Sequence, residues 1–291
     1  MNNWYKILIV ILLSVFASCT EDIVIDLEEG QPLLGVEASF TDELKRHEAV
    51  LSYSADFYNK DEIRMVSGAT VFVTDGVDTV YYHEDAEQNG HYFTDLVAGR
   101  KNTFYTLHIA IPDVTESDGF QHYKAESFLP DNIETVDSLV IKPFDMPMPD
   151  TMLCLYPYFQ SLDDKSVVYM VELFRNDTLL TDTLSEKLIV PMAGYAGYYV
   201  NGPEFLQTNM LIPIAYFRKA EMIAGDRYRA CLLSIGMDYM SYIYAIRFSN
   251  GSNPMMGAPS NVPTNIQPEG KAVGWFLTAS TVSSEVVYLP D

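Results

Sequence analysis

From Leu34 onward, apolar and polar residues alternate in short runs separated by turn residues, the pattern of strands that bury one face. Seven runs predict strands in the first half: Leu34 to Phe40, Ala49 to Ser54, Ala69 to Thr74, Thr79 to His83, His91 to Thr94, Thr103 to Ile111 and Tyr123 to Phe128. Asn89-Gly90 separates the fourth from the fifth and tolerates positive φ, so these two are predicted to form a hairpin. Seven short strands with turns between them predict a sandwich. The pattern then stops at Pro143, Pro147 and Pro149, which lack ladder donors and restrain the residues before them, and a linker is expected there.

The second half predicts further strands at Met152 to Gln160, Ser166 to Arg175, Asn209 to Arg218, Arg227 to Ser234 and Gly274 to Ser280, with an irregular loop at Asn261 to Ile266. One segment has a different period. Tyr239, Tyr242, Ile243 and Ile246 recur at three and four residues, predicting a short helix over 238–248 behind an Asp238 N-cap. The expected fold is therefore mainly β: a prealbumin/Ig-like sandwich over 34–142, a Pro-rich linker over 143–150, and a second sandwich-like domain with one short helix over 151–291.

The beginning of the chain has its own pattern. Lys6, an apolar run from Ile7 to Phe16 and the small residues Ala17-Ser18 form a signal peptide over 1–18, too short to span a bilayer, which needs roughly 20 apolar residues. Cys19 follows at once and resembles the acylated cysteine of the bacterial lipobox, with Phe16 in place of the usual leucine. Acyl chains there would hold the protein on a membrane at about 0.8 kcal/mol per buried CH₂. Residues 19–33 form an acidic tether, and Thr20-Glu21-Asp22 resembles the signal that sends Bacteroidota lipoproteins to the cell exterior. The expected location is the outer membrane, lipid-anchored, at the cell surface.

Charge narrows the partners. With 40 acidic residues against 18 basic ones and a net charge of −22, nucleic acid is excluded as a ligand, and attachment to anionic lipid through basic residues is excluded as well. Cys154 and Cys231 lie in apolar runs, and two readings stay open: a disulfide, or two separate small hydrophobes in the core.

The order of several short motifs carries a resemblance. Gly68, Ala69 and Val71 form a Gly-Ala-x-Val module, Gly225-Asp226 opens a strand, Tyr239 and Tyr242 lie on the helix, and Pro263-Thr264-Asn265-Ile266 precedes Gly270 and Gly274. In this order they resemble the Bacteroidota lipoprotein family known as domain of unknown function 4249, over essentially the whole mature chain. The resemblance implies no reaction. It implies company, in that such lipoproteins look like accessories of TonB-dependent outer-membrane transporters.

Catalytic patterns are missing from the sequence. There is no Gly-x-Ser-x-Gly elbow, no His-Glu-x-x-His and no phosphate-binding glycine loop. All five histidines, His47, His83, His91, His108 and His122, lie in the first half, which excludes histidine chemistry from the second. The stretch from His83 to His91 is a polar hairpin tip rather than a metal loop. No catalytic, cofactor or metal residue is assigned, and an enzyme is not expected.

Tyr195, Tyr198 and Tyr199 beside Gly197 and Gly202 are candidates for contact with a carbohydrate, a peptide or a partner, since phenol rings offer a flat face and a hydroxyl. Five Asp-Ser/Thr-aliphatic triplets, the first at Asp78-Thr79-Val80, resemble an O-glycosylation sequon and are equally ordinary turn chemistry. The functional expectation is a surface lipoprotein that binds a ligand or partner. The alternatives are an adhesive or structural surface protein and a carboxylate-dependent glycoside-active enzyme.

Overall fold

Alternation becomes burial in a computed structural model of the chain, which describes residues 32–54, 63–131, 133–143, 152–161, 168–181, 188–191, 213–249 and 262–290. Strand β1 (Leu34–Thr41) turns Leu34, Val36, Ala38 and Phe40 into one core and leaves Glu37 and Ser39 on the other face. Strands β2 (Glu48–Tyr53), β3 (Thr70–Thr74), β4 (Thr79–Glu84), β5 (His91–Thr94), β6 (Thr103–Pro112) and β7 (Phe120–Leu129) follow, each within a few residues of its predicted limits. On β6 every second side chain, Tyr105, Leu107, Ile109 and Ile111, enters the same core. Between β4 and β5, Gly90 sits at φ 75°, where a Cβ would stand 2.7 Å from the Leu51 carbonyl oxygen.

The second half is built on β8 (Ile133–Pro143), β9 (Met152–Ser161), β10 (Val168–Arg175), β11 (Thr178–Leu179), β12 (Leu188–Pro191), β13 (Ala215–Arg218) and β14 (Arg227–Ile235). Helix α1 (Met237–Ser249), β15 (Ile266–Gln267) and β16 (Ala272–Val287) complete it. Thus the described residues are mainly β, with one α-helix among them. Strands β8, β9 and β13 form a small sheet. Its Leu139, Leu153 and Leu155 pack with Tyr169, Val171, Tyr228 and Leu232 of β10 and β14. Helix α1 covers the opposite face of the same two strands, where Val168, Met170, Cys231, Leu233 and Ile235 point. A strand buried on both faces needs apolar residues at every position, which is why Ala230-Cys231-Leu232-Leu233 reads as a continuous apolar run.

One strand joins the two halves. The first half of β16 pairs in parallel with β1, from Leu34↔Ala272 to Thr41↔Ala279, and its second half pairs antiparallel with β14, from Ser234↔Ser280 to Arg227↔Val287. Where β16 changes partner, the Asp42 carboxylate accepts the Thr281 backbone N–H at 2.7 Å and its hydroxyl at 2.8 Å. This strand crosses the boundary expected between 34–142 and 151–291. The C-terminal strand closes the first core, while residues 133–142, placed within the first domain's bounds, lie in β8 and pair with β9. A parallel pair joins segments far apart in sequence and leaves no local signal.

Two further expectations change. The loop before β16 makes a strand bond of its own: Ile266 pairs with Ala125 of β7, and the Asn265 amide bridges to β16. Its oxygen accepts Phe276 N–H at 3.0 Å and its nitrogen donates to Phe276 O at 2.9 Å, so one side chain substitutes for a ladder residue. The helix begins at Met237, which places Asp238 in its first turn rather than at the N-cap, a position where a carboxylate still complements the helix dipole.

Candidate functional site

The non-core side of β1 builds the candidate site. Because side chains alternate along each strand, the register places Trp275, Glu37, Val50 and His91 in one cross-strand row over β16, β1, β2 and β5. Helix α1 stands beside this row and leaves a cleft of about 300 Å³ between itself and the sheet, also reached by Met170 and Glu172 of β10 and by Lys45 and Glu48. That volume lies at the small end of ligand pockets. The cleft therefore sits where the two halves of the sheet meet.

Its wall is aromatic. Tyr239 and Tyr242 fall on the inner face of α1 because three residues advance a helix by nearly one turn, and both meet Trp275, with ring centroids at 5.9 and 5.2 Å. The two tyrosines stand 5.7 Å apart. All three are at least nine-tenths buried, at 6%, 6% and 7% exposure. Burial, followed by the Glu37 charge, pushes the Tyr242 phenol up to about 12. Tyr239 is driven upward by burial and then by Tyr242 and Glu37, so both hydroxyls stay protonated at neutral pH.

Polar groups occupy the sheet side. His91 Nδ1 lies 2.7 Å from Glu48 Oε1, and Lys45 Nζ lies 2.9 Å from Glu43 Oε2. Beneath Lys45, the fully buried His47 donates from Nε2 to Val97 O at 2.9 Å and accepts Thr41 N–H on Nδ1 at 3.4 Å. Both ring nitrogens are thus engaged by a neutral imidazole. Burial holds its pKa down at about 4.

The residues singled out from the sequence fare differently. Cys19, Tyr195, Tyr198 and Tyr199 lie outside the described residues. Cys154 and Cys231 are both free and buried. Cys154 points away from the second core, which its neighbours Leu153 and Leu155 enter, whereas Cys231 faces α1 across the other sheet. Their side chains diverge from separate layers, so the disulfide is corrected in favour of two core thiols, with Cys231 pushed up to about 12 by burial. At the β4–β5 hairpin, His83 is exposed and His91 is turned to Glu48; among the described residues no group of three or more His, Cys, Asp or Glu could hold a metal ion. Tyr239, Tyr242 and Trp275 read in the sequence as core alone. Only their shared proximity to Glu37, unreadable from spacing, marks them as a site.

The short motifs explain themselves structurally. Glu84 accepts the N–H groups of Gly68 and Gly90 at 2.8 and 3.1 Å and ties two turns together. Asp226 accepts Asn176 Nδ2 at 2.7 Å and Arg175 Nε at 2.7 Å, fixing the β10–β11 turn, where Asn176 and Asp177 both have positive φ. Gly274 has φ 100°, and a Cβ there would overlap the Val36 carbonyl.

Comparison with known proteins adds class and no activity. The family model of "Domain of unknown function (DUF4249)" matches residues 20–285. No curated protein matches the sequence. A crystal structure of the chicken CNTN1 FN1–FN3 domains matches at 12% identity and a TM-score of 0.25, over 71% of this chain and 60% of that one. A TM-score that low carries no argument. Among the described residues no helix is long and apolar enough to cross a membrane.

Proposed function

The chain belongs to the DUF4249 family, and we propose that it is a lipid-anchored protein of the outer-membrane surface that binds a small ligand in the seam cleft as an accessory to a TonB-dependent transporter. Anchoring is supported by the signal run and Cys19, and exposure at the surface by the acidic residues that follow. The binding role is carried by one observation: a concave site, at the junction of the two halves, walled by Tyr239, Tyr242 and Trp275 and faced by Glu37. Ligand sites favour such junctions.

Binding fits this site better than catalysis does. A glycoside-active enzyme makes its general acid by burying a carboxyl in apolar surroundings. Glu37 is exposed, and Glu48 and Glu172 are half-buried. The adhesive reading draws on a different face, where Phe104 and Phe128 of β6 and β7 pair at 4.7 Å while 70% and 42% exposed.

The test is a mild-detergent pull-down of tagged protein from its own outer membrane, with Cys19→Ala as control. A stoichiometric transporter-sized barrel, lost in the control, is the expected result. Recovery of intact protein without a barrel overturns the accessory role.

A further inference from the structure

The buried aromatic wall has unfinished hydrogen bonding. Tyr hydroxyls and Trp indole N–H groups usually find a partner once the ring is buried. Among the described residues, none accepts from or donates to the side chains of Tyr239, Tyr242 or Trp275. All three residues line the cleft of about 300 Å³.

Beside Trp275 in the same cross-strand row stands a charge without a protein partner. His91 takes Glu48 and Glu43 takes Lys45, but Glu37 has no ion pair or hydrogen bond among the described residues. It is close enough to act on the ionisation of both tyrosines. A ligand that completed this site would bring a cation to Glu37 and oxygen acceptors to the three donors.

We propose that the cleft selects a hydroxylated primary amine, such as an amino sugar, whose ammonium pairs with Glu37 while its oxygens accept from Tyr239, Tyr242 and Trp275. The proposal rests on the reading of the cleft as a ligand site. Pairing with a carboxylate strengthens a hydrogen bond about twofold over a neutral one, and the aromatic wall favours a cation further. Metal binding does not suit the site, since Glu37 has no companion ligands in a chelating cluster.

Glucosamine and glucose form a matched pair of probes, differing by an ammonium in place of one hydroxyl. Trp275 is the single tryptophan of the chain from Cys19 onward, so its emission in the mature protein reports the cleft. Saturable glucosamine binding at least tenfold tighter than glucose is expected. Glu37→Gln, at an exposed position, should abolish that tenfold preference, and Tyr242→Phe should weaken both sugars severalfold. Equal binding of the two sugars overturns the amine selectivity and leaves the cleft standing as a ligand site. Saturation by neither overturns both.

Discussion

The first core and the second are built from the same strand chemistry by different connections. In the first core β1 and β2, β3 to β5, and β6 and β7 pair with their sequence neighbours, and the pairs β2–β5 and β3–β6 join these hairpins. In the second, β14 finds β10 on one side and the C-terminal half of β16 on the other. Among the described residues only β16 serves both, and its first half also completes the core that the hairpins begin. Local contacts nucleate readily, whereas long-range pairing must first offset loop-closure entropy. The first region is therefore a stack of hairpins that needs one distant strand to finish it, and the second joins the consecutive pairs β8–β9 and β10–β11 to strands that come much later in the chain.

The largest expected effect comes from breaking the shared strand. Gly274→Val places a side chain at φ 100° into the Val36 backbone, and a loss of about 4 kcal/mol is expected. Urea unfolding followed by Trp275 emission and by far-UV signal should shift together. Loss of the second region alone would show that the two cores do not depend on a common strand.

Acid sharpens the contrast from the other side, because His47 belongs to the first region only. Its pKa is about 4 in the native state against 6.5 as the ordinary value. The unfolded chain therefore takes up the proton first as pH falls. The associated stability is complete above pH 6.5 and is lost progressively down to about pH 4, amounting to about 3 kcal/mol. Urea midpoints at pH 7 and pH 4.5 should diverge more for the native sequence than for His47→Gln. Equal divergence would remove this histidine from the acid sensitivity of the first region.

The smallest effect is expected from Asn265→Ala, which removes both amide bonds to Phe276 and should cost about 2 kcal/mol. Amide exchange should quicken at Ile266 and along Ala272 to Phe276, while the β14–β16 ladder from Ser280 to Val287 stays protected. Uniform quickening along all of β16 would mean that its two halves open as one.

Much of this architecture is readable residue by residue. Period-two runs such as Leu34, Val36, Ala38 and Phe40 located the first seven strands, since one buried face imposes alternation. The triplet Tyr239, Tyr242 and Ile243 located the helix, since burial on one side imposes spacing by three and four. Strand β8 escaped notice before the proline segment, and β11, β12 and β15 are too short to carry a period. The pairing of Cys154 with Cys231 was undecidable in sequence because nothing there says that the two strands lie in separate sheets.

The candidate site shows where reading stops. Glu37 is legible as a residue on the outward side of a strand, and Tyr242 and Trp275 as core aromatics. That they share one cleft depends on the parallel register Glu37↔Trp275, which joins residues more than 200 positions apart. Element type, strand faces and the family were determined by the sequence itself, because local periodicity and short motifs carry them. The shared strand, the membership of each core and the cleft were decided by tertiary structure alone, because pairing between distant strands depends on which surfaces remain unburied once the local hairpins have formed.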